Sequence, residues 1–169
     1  LTSNSLELMP GVNPFNTLDM KNANSIAEYM NCLGYYTIAN HCSVPANYSR
    51  GLAYPAMGFD QVFFLNDFQE LENYYNRLCT DESTYHNLIR WYEEAPEDQP
   101  RFLYTLTFQN HGGYEQNEPE HDIVHVKDDY GEYTQQVNEF LSGICLSDKA
   151  FCMLTEYFAQ VERPVIVCM

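Results

Sequence analysis

Two histidines and one arginine, His41, His111 and Arg50, are the residues whose types and placing point to chemistry. Each histidine follows an apolar, β-branched run that reads as a strand. Residues 36–40 lead into a polar loop carrying His41 and Arg50, and residues 102–108 lead into Gln109-Asn110-His111-Gly112-Gly113-Tyr114. Open α/β proteins bind ligands at such places, because strand ends present side chains at the carboxyl edge of the sheet. A guanidinium pairs bidentately with the oxygens of a phosphate-like anion, and imidazoles donate to the remainder. Neither loop offers an evident nucleophile. Cys42 forms no dyad with His41, since adjacent residues on an extended chain point opposite ways.

The elements that must position these groups follow from the pattern. Ser25 with Glu28 is a capping-box signature, and Ile26, Met30 and Leu33 are expected to line one face of the helix that follows, with Gly34 as its C-terminal cap. A second strand is expected over 61–65 after a short helical turn at 53–57, then a helix over 67–78. Thr80 or Asp81 caps another helix running to about residue 94. The run 102–108 reads as a central strand buried on both faces. A short strand over 123–126 precedes a long helical pattern from 131 to about 160, broken near Ser147-Asp148, with Asp148 as a cap. A last strand follows over 165–169. Alternating strands and helices predict an incomplete three-layer α/β/α sandwich with a mostly parallel sheet. Its exposed edge invites pairing with flanking segments of the same domain or with a second copy.

Composition narrows the function. The 169 residues carry a net charge of −16 with eight lysines plus arginines, which excludes nucleic acid as a partner and docking on anionic lipid by charge alone. No run approaches 18 apolar residues, so nothing reads as a membrane span. Of six cysteines, Cys145 and Cys152 are seven apart in a predicted helix, about 10 Å along its axis, too far for a disulfide. Most of the six read as buried thiols, with one pairing across the fold as the alternative. His121 and His125 would suit a metal only on a helix, and their surroundings favour a strand. The sequon Asn47-Tyr48-Ser49 falls inside the motif loop and reads as coincidental.

His41, Tyr48 and Arg50 also stand at the spacing His-x6-aromatic-x-Arg, followed by Tyr54-Pro55 and Gly58-Phe59-Asp60. Together with the Gln109–Tyr114 run, they resemble the lipoteichoic acid synthase-like (phosphoglycerol transferase) branch of the alkaline phosphatase/sulfatase superfamily. The resemblance runs nearly end to end. Residues 1–5 are similar to the segment just after the family's threonine nucleophile, and residues 163–169 to the strand just before its Gly-Asp-His metal motif. It implies that residues 1–169 form a partial sulfatase-like catalytic domain that begins after one catalytic element and stops before the other. No catalytic residue and no metal ligand is then expected within the chain.

What the resemblance implies for the site is a substrate-binding set of His41, Arg50 and His111 around a phosphate ester. Tyr48 is expected to pack on a glycerol or on the loop, and Ser43 replaces an acidic residue of some members. The parent protein is expected to be an enzyme of the cell envelope, a metal-dependent phosphoglycerol transferase or a sulfatase-like hydrolase of phosphate or sulfate esters. The chain alone is expected to be inactive. Manganese or magnesium is the expected metal, with calcium and zinc as further candidates and ligands mostly outside this stretch. The substrate is phospholipid-derived or another phosphate ester, and the parent is expected on the extracellular face of the bacterial cytoplasmic membrane. The alternative from a different class is a non-catalytic anion- or glycan-binding module of the same fold.

Overall fold

The computed structural model of the chain describes residues 8–69, 71–74, 78–114 and 119–169. It divides into two compact units, one of Leu1–Phe68 with Arg90–Leu106 and one of Gln69–Ile89 with Thr107–Met169.

The first unit is built on three parallel strands, β1 (Tyr36–His41), β2 (Gln61–Phe63) and β5 (Arg101–Leu106), in the order β2-β1-β5. Alternation along each strand sends neighbours to opposite faces. Ala39, Val62, Phe102 and Tyr104 meet Ala53, Tyr54, Met57 and Ala27 on one face. Ile38, Phe63 and Leu103 meet Trp91 and Ala95 on the other. The one-turn helix α1 (Pro14–Thr17), α2 (Ile26–Cys32) and α3 (Arg50–Ala56) supply the first cover, and the C-terminal end of α4 (Asp81–Glu94) supplies the second. Trp91 stacks on Phe63 with ring centroids 4.2 Å apart. The expected α/β/α layering and parallel sheet are therefore present. The middle strand, however, is β1, while β5 lies at an edge of the described sheet and is half-buried along its length, not buried on both faces.

The Ser25 cap accepts from the Glu28 N–H at 3.0 Å as expected, and Gly34 closes α2 with φ +85°. The expected apolar face does not close it, since Ile26 and Leu33 are exposed and the side chain packed inward is Ala27. The close approach of α2 to the Met57-Gly58 turn explains this. Ser25 donates to the Met57 carbonyl, and Asn31 donates to that of Gly58 at 2.5 Å. Asp60 then ties the turn to β1, its carboxylate accepting from the Thr37 N–H at 2.8 Å.

The second unit holds a two-stranded antiparallel pair, β3 (Asn73–Tyr74) and β4 (Leu78–Cys79), the first part of α4, and the 26-residue helix α5 (Thr134–Ala159). No helix forms over the described part of 67–78, because α4 side chains take the backbone groups a helix would pair internally. Asn87 accepts from the Gln69 N–H at 2.8 Å and donates to the Gln69 carbonyl at 2.7 Å. Thr80 caps α4, accepting from the Ser83 N–H at 3.1 Å.

The expected strand over 123–126 is also absent. The N–H groups of Ile123 and Val124 both donate to Ser142 Oγ at 3.0 Å, and that of Val126 donates to Asn138 Oδ1 at 2.9 Å. Side chains of α5 thus stand in for a partner strand. Helix α5 runs through Ser147-Asp148 unbroken, and Asp148 is an exposed mid-helix residue, not a cap. Residues 165–169 form no strand and join no sheet among the described residues, with Ile166 90% and Met169 96% exposed. An apolar run becomes a strand only where a neighbour pairs with it. None of the six cysteines is joined in a disulfide. Cys42 and Cys79 are buried, whereas Cys32, Cys152 and Cys168 are exposed, against the expectation of mostly buried thiols.

Candidate functional site

His41 is not a loop residue. It ends β1, is 3% exposed, and its Nδ1 lies 2.9 Å from the Leu106 carbonyl oxygen at the end of β5. A carbonyl only accepts, so Nδ1 carries the proton and the lone pair of the neutral ring sits on Nε2. The imidazole is thereby held in one tautomer at the carboxyl edge of the sheet.

Beyond His41 the chain is locked by a series of short-range bonds. The Ser43 N–H donates to the His41 carbonyl at 2.7 Å. Asn47 Nδ2 donates to Ser43 Oγ at 2.9 Å. Arg50 opens α3, and its guanidinium donates to the Asn47 carbonyl at 3.4 Å and lies 4.6 Å from the centroid of the Tyr48 ring. Tyr48 and Ser49 both adopt φ +55°, a left-handed conformation that costs a side-chain-bearing residue on the order of 1–3 kcal/mol. Two such residues in succession place the Tyr48 ring against Arg50. His41, Ser43, Tyr48 and Arg50 therefore lie on one ordered segment of the first unit. Tyr48 packs on the loop arginine.

Tyr54, one α3 turn past Arg50, is 1% exposed among Phe15, Phe59, Phe64 and Tyr104. Burial above all, with Tyr104 beside it, pushes its phenol up to about 12, against the lowering effect of Arg50. A phenol held neutral next to the guanidinium leaves the positive charge of Arg50 uncancelled. Sequence reasoning passed over Asn47 and Tyr54. The discounted sequon contained the first, and the Tyr54-Pro55 pair was the only signal for the second.

His111 belongs to the second unit. It lies in the turn after β5, exposed, with its ring 5.0 Å from that of Phe108 and its N–H donating to the Phe108 carbonyl at 3.1 Å. A shallow pocket lined by Gly113, Tyr114, Tyr133, Gln136, Val137 and Phe140 follows the turn. It holds no cationic group and is not an anion site. Among the described residues no group of three His, Cys, Asp or Glu side chains could hold a metal, His121 and His125 included. A metal therefore does not fit the residues described.

A parallel sheet covered on both faces, with an ordered imidazole and guanidinium at its carboxyl edge, defines an α/β protein of the alkaline phosphatase-like fold. The chain belongs to the sulfatase family, whose model matches residues 1–169. Its fold resembles that of the lipoteichoic acid synthase LtaP from Listeria monocytogenes, with a TM-score of 0.73 and 17% identity over 86% of this chain and 35% of that one. It also resembles the Streptococcus pyogenes phosphoglycerol transferase GacH, solved in complex with sn-glycerol-1-phosphate, with a TM-score of 0.70 and 22% identity over 89% and 39%. A protein of Rhizobium meliloti (strain 1021), provisionally named a cyclic beta-1,2-glucan modification protein, is 26% identical over 86% of this chain and 22% of its own length. The chain thus spans well under half of each of these proteins.

Proposed function

We propose that this chain supplies the phosphate-binding loops of a larger cell-envelope enzyme, a phosphoglycerol transferase or a sulfatase-like hydrolase of phosphate or sulfate esters. The observation that carries the reading is the ordered His41–Arg50 segment at the carboxyl end of the central strand, in a chain of the sulfatase family. Strained backbone kept beside a cation is characteristic of ligand-holding turns.

Arg50 binds two oxygens of the ester, His41 in its protonated form donates from Nε2 to a third, and His111 is by the family resemblance a further donor to the charge that grows as the bond to phosphorus breaks. Tyr48 and Tyr54 hold the guanidinium in place. The parent's metal, manganese or magnesium by the family resemblance with calcium and zinc as further candidates, would take its ligands mostly from outside this stretch and would supply Lewis-acid stabilisation. No helix among the described residues is long and apolar enough to cross a membrane. Placement at the extracellular face of the membrane rests on the family resemblance.

The test is turnover of a chromogenic phosphodiester by the intact parent protein. Arg50→Ala and His111→Ala should each lower kcat/KM by about 10² or more, the usual cost of losing one preorganised charge stabiliser. Unchanged turnover in both would remove these residues from the site.

A further inference from the structure

Behind the His111 turn lies a polar network that the phosphate-binding reading does not use. Asp81, the first residue of α4, is 4% exposed. Its N–H donates to Gln109 Oε1 at 3.0 Å, and its Oδ2 accepts from Ser147 Oγ at 2.5 Å. Ser147 Oγ in turn accepts from Gln109 Nε2 at 3.2 Å and from Asn110 Nδ2 at 2.8 Å. A hydroxyl has one proton and two lone pairs. With both lone pairs taken by amides, the Ser147 proton is directed at Asp81.

The same turn is seated on α5 at a second point. Gln109 Nε2 also donates to the Gly143 carbonyl at 3.0 Å, and a Cβ on Gly143 would stand 2.4 Å from Asn110 Oδ1. Gly143 and Ser147, four residues apart on α5, thus receive the two amide side chains that immediately precede His111. The backbone leaving them is itself closed, by His111 N–H to the Phe108 carbonyl and Gly112 N–H to the Asn110 carbonyl at 3.0 Å.

We propose that Asp81 and Ser147 are positioning residues for His111, clamping Gln109-Asn110 onto α5 so that the imidazole leaves a fixed turn. A carboxylate buried at this point is costly, and hydrogen bonds to ionised groups are among the strong ones. Its use here is to fix one side-chain orientation for Gln109 and one for Asn110. The functional consequence rests on the phosphate-binding reading of His111, but the clamp does not.

Amide hydrogen exchange and the His111 ring proton resonances, read by NMR on the protein and on Ser147→Ala, test the clamp. Removing a hydrogen bond to a charged group should speed exchange at His111 and Gly112 by about tenfold or more and shift the His111 ring lines. Exchange in β1 should stay unchanged, and Ser147→Thr, which keeps the hydroxyl, should restore the protection. Unaltered exchange at His111 and Gly112, or an equal acceleration throughout the second unit, would overturn the proposal. If Ser147→Ala does not fold, Asn110→Ala, which removes the amide that donates to Ser147 Oγ, is read in the same way. Titration with inorganic phosphate separates the two readings. A loosened turn with phosphate affinity unchanged in both Ser147→Ala and His111→Ala confirms the clamp and refutes phosphate binding by His111.

Discussion

His41 Nδ1 donates to the Leu106 carbonyl across 2.9 Å, joining the ends of β1 and β5. The two residues are register partners in the parallel ladder, so this side-chain bond continues the backbone pairing past the last strand residue. The histidine that faces the proposed ligand is therefore also part of the sheet.

His41→Ala should for this reason cost stability as well as ligand binding. Losing the bond and leaving the part-buried carbonyl without it is worth about 1–3 kcal/mol. His111→Ala, at an exposed turn position, should cost under about 0.5 kcal/mol. Urea unfolding of the two variants checks this, with a clear fall in midpoint expected for His41→Ala alone.

The buried Tyr54 phenol sets an alkaline limit on the fold. Its pKa is raised from 10.0 to about 12 in the folded chain, so its contribution is fully present below pH 10 and is lost as pH rises through about 12. The thermal midpoint should fall more steeply between pH 9 and 11.5 in the wild type than in Tyr54→Phe, which has no proton to lose there. Parallel slopes would show that Tyr54 ionises as freely folded as unfolded.

How much of this was legible beforehand differs from residue to residue. The sheet residues announced themselves, because Ile38, Phe102 and Leu103 lie in apolar runs that only a covered strand explains. The Ser25 and Thr80 caps are local chemistry and were equally plain. Two of the misreadings, the helix over 67–78 and the strand over 123–126, share one cause, the use of side chains from distant residues as backbone partners. Asn87 pairs with Gln69, Ser142 with Ile123 and Val124, and nothing near residues 69 or 123 signals it. Of the site, His41 and Arg50 were visible as a histidine and a cation beyond a strand, whereas Ser43 and Tyr48 entered only through the family resemblance. Asn47 and Tyr54 escaped because their roles appear only once the loop is folded back on Arg50.

Asp81 should show the opposite of the usual carboxylate behaviour. Burial pushes its pKa up from 3.8, against the lowering by hydrogen bonds from Ser147, the Gln109 backbone and Thr107. A raised carboxylate pKa means that ionisation costs folding energy, so the penalty is present at neutral pH and vanishes as pH falls below 3.8. Asp81→Asn should therefore melt higher than the wild type at pH 7, and the gap should close toward pH 3.5. A variant less stable at pH 7 would show that the charge is a net stabiliser.

The most direct measurement is an NMR titration of the protein with sn-glycerol-1-phosphate, following backbone amides in the wild type, Arg50→Ala and His111→Ala. Phosphate binding by the two loops predicts saturable shifts confined to residues 41–50 and 109–113. Binding should weaken markedly in both variants, while their spectra otherwise overlay that of the wild type. Shifts scattered over the surface, or the same affinity in all three proteins, would contradict it.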